Sequence, residues 1–314
     1  LTAGGAKRAT AFAPASVGNV GVGFDILGFS LYALGDTVTA SVSDAQDVSI
    51  TSISGVVADL PLDAAHNTAG RAVQALLERA APGFGVELQI EKGIPLGSGL
   101  GGSAASAVGA VVAANALLPS PFDKIDLLKF AMQGEAVASG ALHVDNVAPS
   151  LFGGLVLTVG VDNPRVKQIP APSGVRAVVV HPRLFLATRE ARSVLSGSVD
   201  MSDFVWQTAN LAGFISACYT NDLDMLRECF EDVIIERQRQ SLIPGFAEVR
   251  AAAMNGGALG CSISGSGPSI FAWVEEQKAP LVVAAMQAQF AARGLESEGW
   301  VVEIESAGAR LIES

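Results

Sequence analysis

Positive charge, aromatic rings and cysteine are all scarce in this sequence of 314 residues. Its 20 Lys and Arg stand against 31 Asp and Glu, a formal net charge of −11. A non-specific duplex binder needs many cations to displace counterions from the phosphate backbone, so that class is disfavoured. With three Trp and two Tyr there is little from which to build the stacking wall that holds single strands, and no nucleic acid is expected as a partner. Cys218, Cys229 and Cys261 are far apart, show no paired metal-ligand spacing and sit in apolar or amphipathic surroundings. They read as buried thiols in a reducing compartment. Long apolar runs are also missing. The blandest stretch, Ala104 to Leu118, contains Ser106 and Asn115 and falls short of the ~20 residues that a bilayer requires. No signal peptide or membrane partner is read, and a soluble, cytoplasmic protein is the expectation.

What is present is apolar: half of the residues, enough for one large core or two modest ones. Periodicity alternates between strand-like and helix-like stretches. Arg8 to Ala13 reads as a strand ended by Pro14, and Gly18, Gly21 and Gly23 then bracket Asn19 and Asp25 in a tight polar turn. Thr37 to Val42 and Val48 to Ile53 read as a hairpin turning at Ser43 to Gln46. Asn67 to Ala80 has helical spacing with Asn67 or Thr68 as its cap, and Val86 to Ile90 alternates as a strand. Ser103 to Leu118 and Lys124 to Ser139 read as helices, and Ala148 to Val159 as a loop entering a strand. The proline-rich stretch Pro164 to Gly174 is the expected boundary between a domain of residues 1–170 and one of residues 171–314. Beyond it, strands are expected at Arg176 to Val180, Gly260 to Ile263, Ser269 to Val274 and Gly299 to Ile304. Helices are expected at Thr188 to Leu195, Phe204 to Tyr219, Asp222 to Ile235, Phe246 to Asn255 and Leu281 to Ala292. The order is mixed throughout, which favours a two-domain α+β architecture.

The most informative stretch is Pro95-Leu96-Gly97-Ser98-Gly99-Leu100-Gly101-Gly102-Ser103-Ala104-Ala105-Ser106. Phosphate oxygens need several converging donors, and backbone N–H groups supply them where the chain can curl without side-chain obstruction. Ser103 lies at the expected start of a helix, where unpaired N–H groups and the helix dipole favour an anion. The stretch lacks the Gly-Lys-Ser/Thr of a Walker loop, and its spacing differs from the dinucleotide fingerprint. Glycine density by itself also fits a tight structural loop before an Ala-rich helix. Acidity of the whole chain is no bar to a nucleotide, because attraction follows the local field and a divalent ion offsets phosphate charge.

Three separated motifs resemble those of the GHMP kinases, the superfamily of galactokinase, homoserine kinase, mevalonate kinase and phosphomevalonate kinase. They are Pro14 to Asp25, Pro95 to Ser106, and Ser264-Gly265-Ser266-Gly267-Pro268-Ser269. Phe24 to Gly28, Gly134-Glu135, His143 to Pro149 and Leu242 to Gly245 make the chain most similar to the homoserine kinase branch. The resemblance implies an N-terminal domain like domain 2 of ribosomal protein S5 and a ferredoxin-like C-terminal domain. It also implies a homodimer and transfer of the ATP γ-phosphoryl group to the side-chain hydroxyl of L-homoserine, in threonine biosynthesis. Val17-Gly18 and Val22 depart from the common pattern beside Asn19 and Gly21, which bears on fine substrate contacts more than on ATP.

The same resemblance supplies roles. Residues Pro95 to Ala104 and Ser106 would bind ATP, and Ser103 and Glu135 would hold Mg2+. Asn19, Asp25, His143, Asp145, Asn146, Thr188, Arg192 and Arg239 would surround homoserine, with Asn146 orienting its hydroxyl. The chemistry agrees: hard oxygen ligands suit Mg2+, a carboxylate suits an ammonium group, and a guanidinium fork suits a carboxylate. Taken singly, Glu135 and the two arginines would read as solvent-facing charges and Thr188 as a helix cap. The adenine pocket is expected from residues 55–95. His66, His181 and Cys261 receive no chemical role.

Overall fold

The computed structural model describes residues 6–139 and 144–313. In the first half the elements are β1 Arg8–Gly18, β2 Leu27–Ser43, β3 Val48–Gly55, α1 Thr68–Ala80, β4 Gly85–Lys92, α2 Gly102–Asn115, α3 Lys124–Ser139, α4 Val147–Phe152, β5 Leu155–Val159 and β6 Arg165–Ile169. The second half contains β7 Val175–Pro182, α5 Thr188–Ser193, α6 Met201–Thr220, α7 Leu223–Cys229, α8 Ile235–Arg239, α9 Phe246–Asn255, β8 Ala258–Ile263, β9 Ile270–Glu275, α10 Ala279–Ala292, β10 Ser297–Glu303 and β11 Arg310–Glu313. The first sheet runs β11-β1-β2-β4-β3, with β5 on β2 and β6 on β5; the second runs β10-β7-β9-β8.

The helix α2 explains much of the first half. Its Ala, Gly and Val residues carry no polar face, and it is buried on nearly every side, as a helix apolar all round must be. It lies between β1 and β2 on one side and α1 and α3 on the other, so its N-terminus is held in place by four elements. The helix α1 begins where Asn67 Oδ1 accepts the N–H groups of Ala69 and Gly70, at 3.0 and 3.4 Å.

Several local expectations are overturned by longer-range pairing. The strands β2 and β3 do not form a hairpin: β4 lies between them, and β3 runs parallel to β4. A parallel pair needs a crossover, which α1 provides. The strand β1 continues through Pro14 to Gly18, its register shifting between Pro14 and Ala15, an irregularity that tolerates a missing N–H. The segment before β5 is the helix α4 rather than a loop. The helix expected over Asp222 to Ile235 stops at Cys229, because Asp232 accepts the N–H groups of Ile234, Ile235 and Glu236 at 2.8–3.1 Å and opens α8 instead.

The two sheets share a core. Phe29 of β2 meets Phe271 and Trp273 of β9 edge-on, with ring centroids 5.7 and 6.0 Å apart. After β10 the chain returns to the first sheet, where β11 pairs with β1. The two sheets are therefore joined both by shared aromatic packing and by the returning chain.

Candidate active site

The segment between β4 and α2 is shaped by alternation. Gly97, Gly99 and Gly101 have φ of 63°, 76° and 67°, separated by Ser98 and Leu100 on the ordinary side of φ space. Each carbonyl of the turn is then drawn outward. Gly97 O accepts from Leu186 N at 3.1 Å, Ser98 O from Ser269 N and Oγ at 3.2 and 2.7 Å, and Gly99 O from Ser264 Oγ at 2.7 Å. Leu100 O accepts from Ser16 N at 3.1 Å, Gly101 O from Ala105 N at 2.9 Å, and Gly102 O from Lys92 Nζ at 2.7 Å. With these acceptors engaged elsewhere, Gly97, Ser98, Gly99, Gly101, Gly102 and Ser103 line the cleft. Such a turn leading into a helix N-terminus has the form that suits an anion. Ser98 caps its own turn, accepting from Leu100 N at 3.3 Å.

Beneath the nest lies a buried ion pair that sequence reading did not single out. Lys92 Nζ pairs with Asp36, and Ser106 Oγ donates to the same carboxylate at 2.7 Å. Lys92 also donates to Ser106 Oγ at 2.7 Å, tying β2, β4 and α2 together. The signal was in the alternation: Val86, Leu88, Ile90 and Lys92 all occupy the buried phase of β4. A lysine in that phase needs a buried partner.

Ser103, the second residue of α2, donates from Oγ to Glu135 Oε1 of α3 at 3.0 Å. Glu135 is buried. Burial pushes its carboxyl up to about 7, against the Ser103 hydrogen bond, with nearby Asp145 raising it further and Lys92 lowering it. A divalent cation would relieve that cost. Among the described residues no cluster of three or more His, Cys, Asp or Glu could cage a metal. One carboxylate and one hydroxyl beside a phosphate nest do fit Mg2+, which keeps waters and takes phosphate oxygens as ligands.

At the other end of the cleft the first and third motifs are joined. Asn19 Nδ2 donates to Gly265 O at 2.8 Å and its Oδ1 accepts from Asp25 N at 3.0 Å, while Gly265 N donates to Gly18 O at 3.1 Å. Asn19, Val20 and Asp25 all have positive φ, the kind of strain that persists where surrounding contacts over-determine the backbone. Asp25 pairs with Arg192 at 2.5 Å. Arg192 and Arg239 lie over the Phe24 ring at 5.3 and 5.2 Å, and the buried Arg239 donates to Ala191 O and Gly265 O at 3.0 and 3.1 Å. Thr188 Oγ1 is 3.3 Å from Ser266 Oγ. Asp145 is buried, which raises its carboxyl to about 7, with Asp25 adding to the rise. Asn146 Nδ2 donates to Asp145 Oδ2 at 3.2 Å, and Asn146 Oδ1 accepts from Ser16 Oγ at 2.9 Å.

A single cavity of about 550 Å³ connects these groups. It gathers Asn19, Asp25, Asp145, Asn146, Thr188, Arg192 and Arg239 with Ser103, Glu135 and the turn residues Pro95 to Gly99, Gly101 and Gly102. Leu100 and Ala104 send their side chains into the core and do not line it, so only their backbone could meet a ligand. Ser106 lines it with its hydroxyl engaged below the nest. His143 lies outside the described residues. Leu60, Pro61, His66, Asn67 and Ile90 wall the end away from the arginines, and of these His66 was given no role in advance.

The comparisons with known proteins agree with this geometry. The family model described as "GHMP kinases N terminal domain" matches residues 67–154, and "GHMP kinases C terminal" matches residues 214–292. Fold and cleft thus define a GHMP kinase of two-domain α+β architecture. A homoserine kinase of Xanthomonas campestris pv. campestris is 49% identical, covering 98% of this chain and 95% of that one. A homoserine kinase of Chlorobaculum tepidum is 42% identical, covering 98% of each. The crystal structure of homoserine kinase from Cytophaga hutchinsonii superposes with a TM-score of 0.94 at 41% identity, covering 99% of both chains. Within the GHMP kinases, the chain belongs to the homoserine kinase family.

Proposed function

We propose that the cleft carries out ATP-dependent phosphorylation of the side-chain hydroxyl of L-homoserine, giving O-phospho-L-homoserine for threonine biosynthesis. The observation that carries this reading is one cavity with an anion nest at its centre and a carboxylate with two guanidinium groups at one end. Kinases of this family use ATP and Mg2+. The N–H groups of Ser98, Gly99 and Gly101 to Ala104 cradle the phosphates, and Ser103 and Glu135 would hold Mg2+. Bound there, the ion would offset charge on the phosphate oxygens. Homoserine is a zwitterion, and the Asp25–Arg192 pair offers a partner for each of its charges. Arg239, backed by its two carbonyl partners, reinforces the field that attracts the carboxylate. Mevalonate and sugars carry no ammonium group for Asp25 to meet, which favours homoserine over the substrates of other branches.

Asn146 orients the hydroxyl in line with the γ-phosphorus. The new bond forms between the homoserine oxygen and phosphorus, the bridging P–O bond breaks, ADP leaves with the bonding pair, and the hydroxyl proton passes to solvent. A loose transition state asks little of the nucleophile, so positioning and the nest N–H groups supply most of the catalysis. Incubating purified protein with ATP, Mg2+ and L-homoserine should yield phosphohomoserine by phosphorus NMR. ATP turnover with mevalonate and none with homoserine would overturn the assignment.

Recognition of the carboxylate can be tested separately. Arg192→Met should raise KM for homoserine by ~10- to 100-fold, the range for one charge-assisted hydrogen bond, with KM for ATP little changed. An equal rise in both would point to general damage.

The same reading includes a homodimer in the cytoplasm. Met201, Phe204, Val205 and Trp206 are exposed on α6, Met201 by 74%, and Asp203 is the one charged residue of that helix; such a face favours burial against a second copy. Sedimentation should give a dimer, and Phe204→Glu with Trp206→Glu a monomer. A wild-type protein that is monomeric at micromolar concentration would count against it. The three thiols are free, in keeping with a reducing compartment.

A further inference from the structure

Ser16 lies near the end of β1, fully buried and outside the cavity lining. Its hydroxyl donates to Asn146 Oδ1 at 2.9 Å and its N–H donates to Leu100 O at 3.1 Å. One residue thus joins β1, the glycine turn and the carboxamide that faces the transferred group. On the other side of that carboxamide, Nδ2 donates to Asp145 Oδ2 at 3.2 Å. The amide nitrogen thus faces Asp145, and the oxygen takes the donor that Ser16 supplies. Two glycines close in on the amide: a Cβ at Gly18 would meet Asn146 Nδ2 at 2.7 Å, and one at Gly101 would meet Oδ1 at 3.1 Å. What remains to Asn146 is rotation or flipping of the amide plane, and the two hydrogen bonds oppose both.

We infer that Ser16 is a positioning residue for phosphoryl transfer, its hydroxyl holding the Asn146 carboxamide so that the second N–H of Nδ2 meets the substrate oxygen. This rests on the role given above to Asn146. Without the hydroxyl, Oδ1 loses its donor from β1, and a flipped amide would present a carbonyl where the substrate oxygen needs an N–H. The backbone bond to Leu100 is untouched by a change of side chain, so the nest should survive.

Ser16→Ala should lower kcat by ~10- to 100-fold, the scale on which orientation of a reacting group acts, while KM for ATP and for homoserine stay within about threefold. Calorimetric binding of a non-hydrolysable ATP analogue should be unchanged. In an Asn146→Ala background, where no amide is left to orient, the same substitution should cost less than about twofold, because the two residues act as one unit. If Ser16→Ala does not fold, Ser16→Cys, similar in shape and a weaker donor, goes through the same cycle. A kcat within about twofold of wild type, or equal losses in both backgrounds, overturns the inference. Near-normal turnover of Asn146→Ala alone would remove the role of Asn146 as well, whereas a slow Asn146→Ala with a normal Ser16→Ala sinks only the role of Ser16.

Discussion

Glu135→Gln should turn over at least ~100-fold more slowly than wild type, the scale of losing one preorganised electrostatic group, and yet be the more stable protein at alkaline pH when metal is absent. The second half follows from burial. The carboxyl sits at about 7 in the folded chain against an ordinary 4.5. A raised carboxyl favours the folded state fully below the unfolded value, and that contribution is lost as pH rises through the folded value. At pH 8 the metal-free wild type therefore carries a buried negative charge that Gln does not. Glutamine keeps the shape and can still accept from Ser103, so a gain of about 1–3 kcal/mol is expected at pH 8, fading towards pH 5. Calorimetry in EDTA at both pH values reads it directly. A variant slow and equally destabilised at both would mean that Glu135 holds the fold together rather than the metal.

Gly99→Ala should abolish tight nucleotide binding. Alanine at φ of 76° costs roughly 1–2 kcal/mol in strain alone. The added Cβ would also lie 2.5 Å from Ser264 O and 2.6 Å from Gly267 O, backbone atoms of the third motif that cannot swing aside as a side chain can. The turn must then move from the β8–β9 connection, releasing the carbonyl of Gly99 from Ser264 and breaking the outward pattern that leaves the N–H groups free. A rise of ~100-fold or more in KM for ATP is expected, equal to about 2.7 kcal/mol. Gly83→Ala is the control: φ is 79° there too, but a Cβ meets nothing within 4 Å, so it should cost about 1–2 kcal/mol of stability and leave KM unchanged. Similar kinetics in the two variants would show that close approach at Gly99 is unimportant to the site.

Legibility of the sequence followed the range of the interactions. The helix α3 and the helix α9 could be read to the residue, because their periodic stretches end at local signals. The pairing of β2 with β4 could not, since an adjacent turn at Ser43 to Gln46 makes a hairpin look natural and only the sheet as a whole shows β4 between its neighbours. The strand β11 escaped for the same reason: four residues with no pattern of their own become a strand by lying beside β1. In the site, glycine spacing marked Gly97 to Gly102 before any fold was in view, whereas Glu135 and the two arginines stood out only through the resemblance to a kinase family. Asp36 and Ser16 were missed because both lie behind the residues that line the cleft, and Lys92, which does line it, because no motif contains it. Lys92 alone left a trace, its place in the buried phase of β4.

If the outward-turned carbonyls from Gly97 to Gly102 leave N–H groups for nucleotide phosphates, a ligand should show it. A crystal structure with Mg2+, a non-hydrolysable ATP analogue and L-homoserine tests it most directly. The β- and γ-phosphates should lie against N–H groups of residues 98, 99 and 101–104, the metal should touch Ser103 and Glu135, and the amino acid should sit between Asp25 and Arg192. Phosphates bound elsewhere in the cleft, with the carbonyls of the turn swung inward, would contradict it.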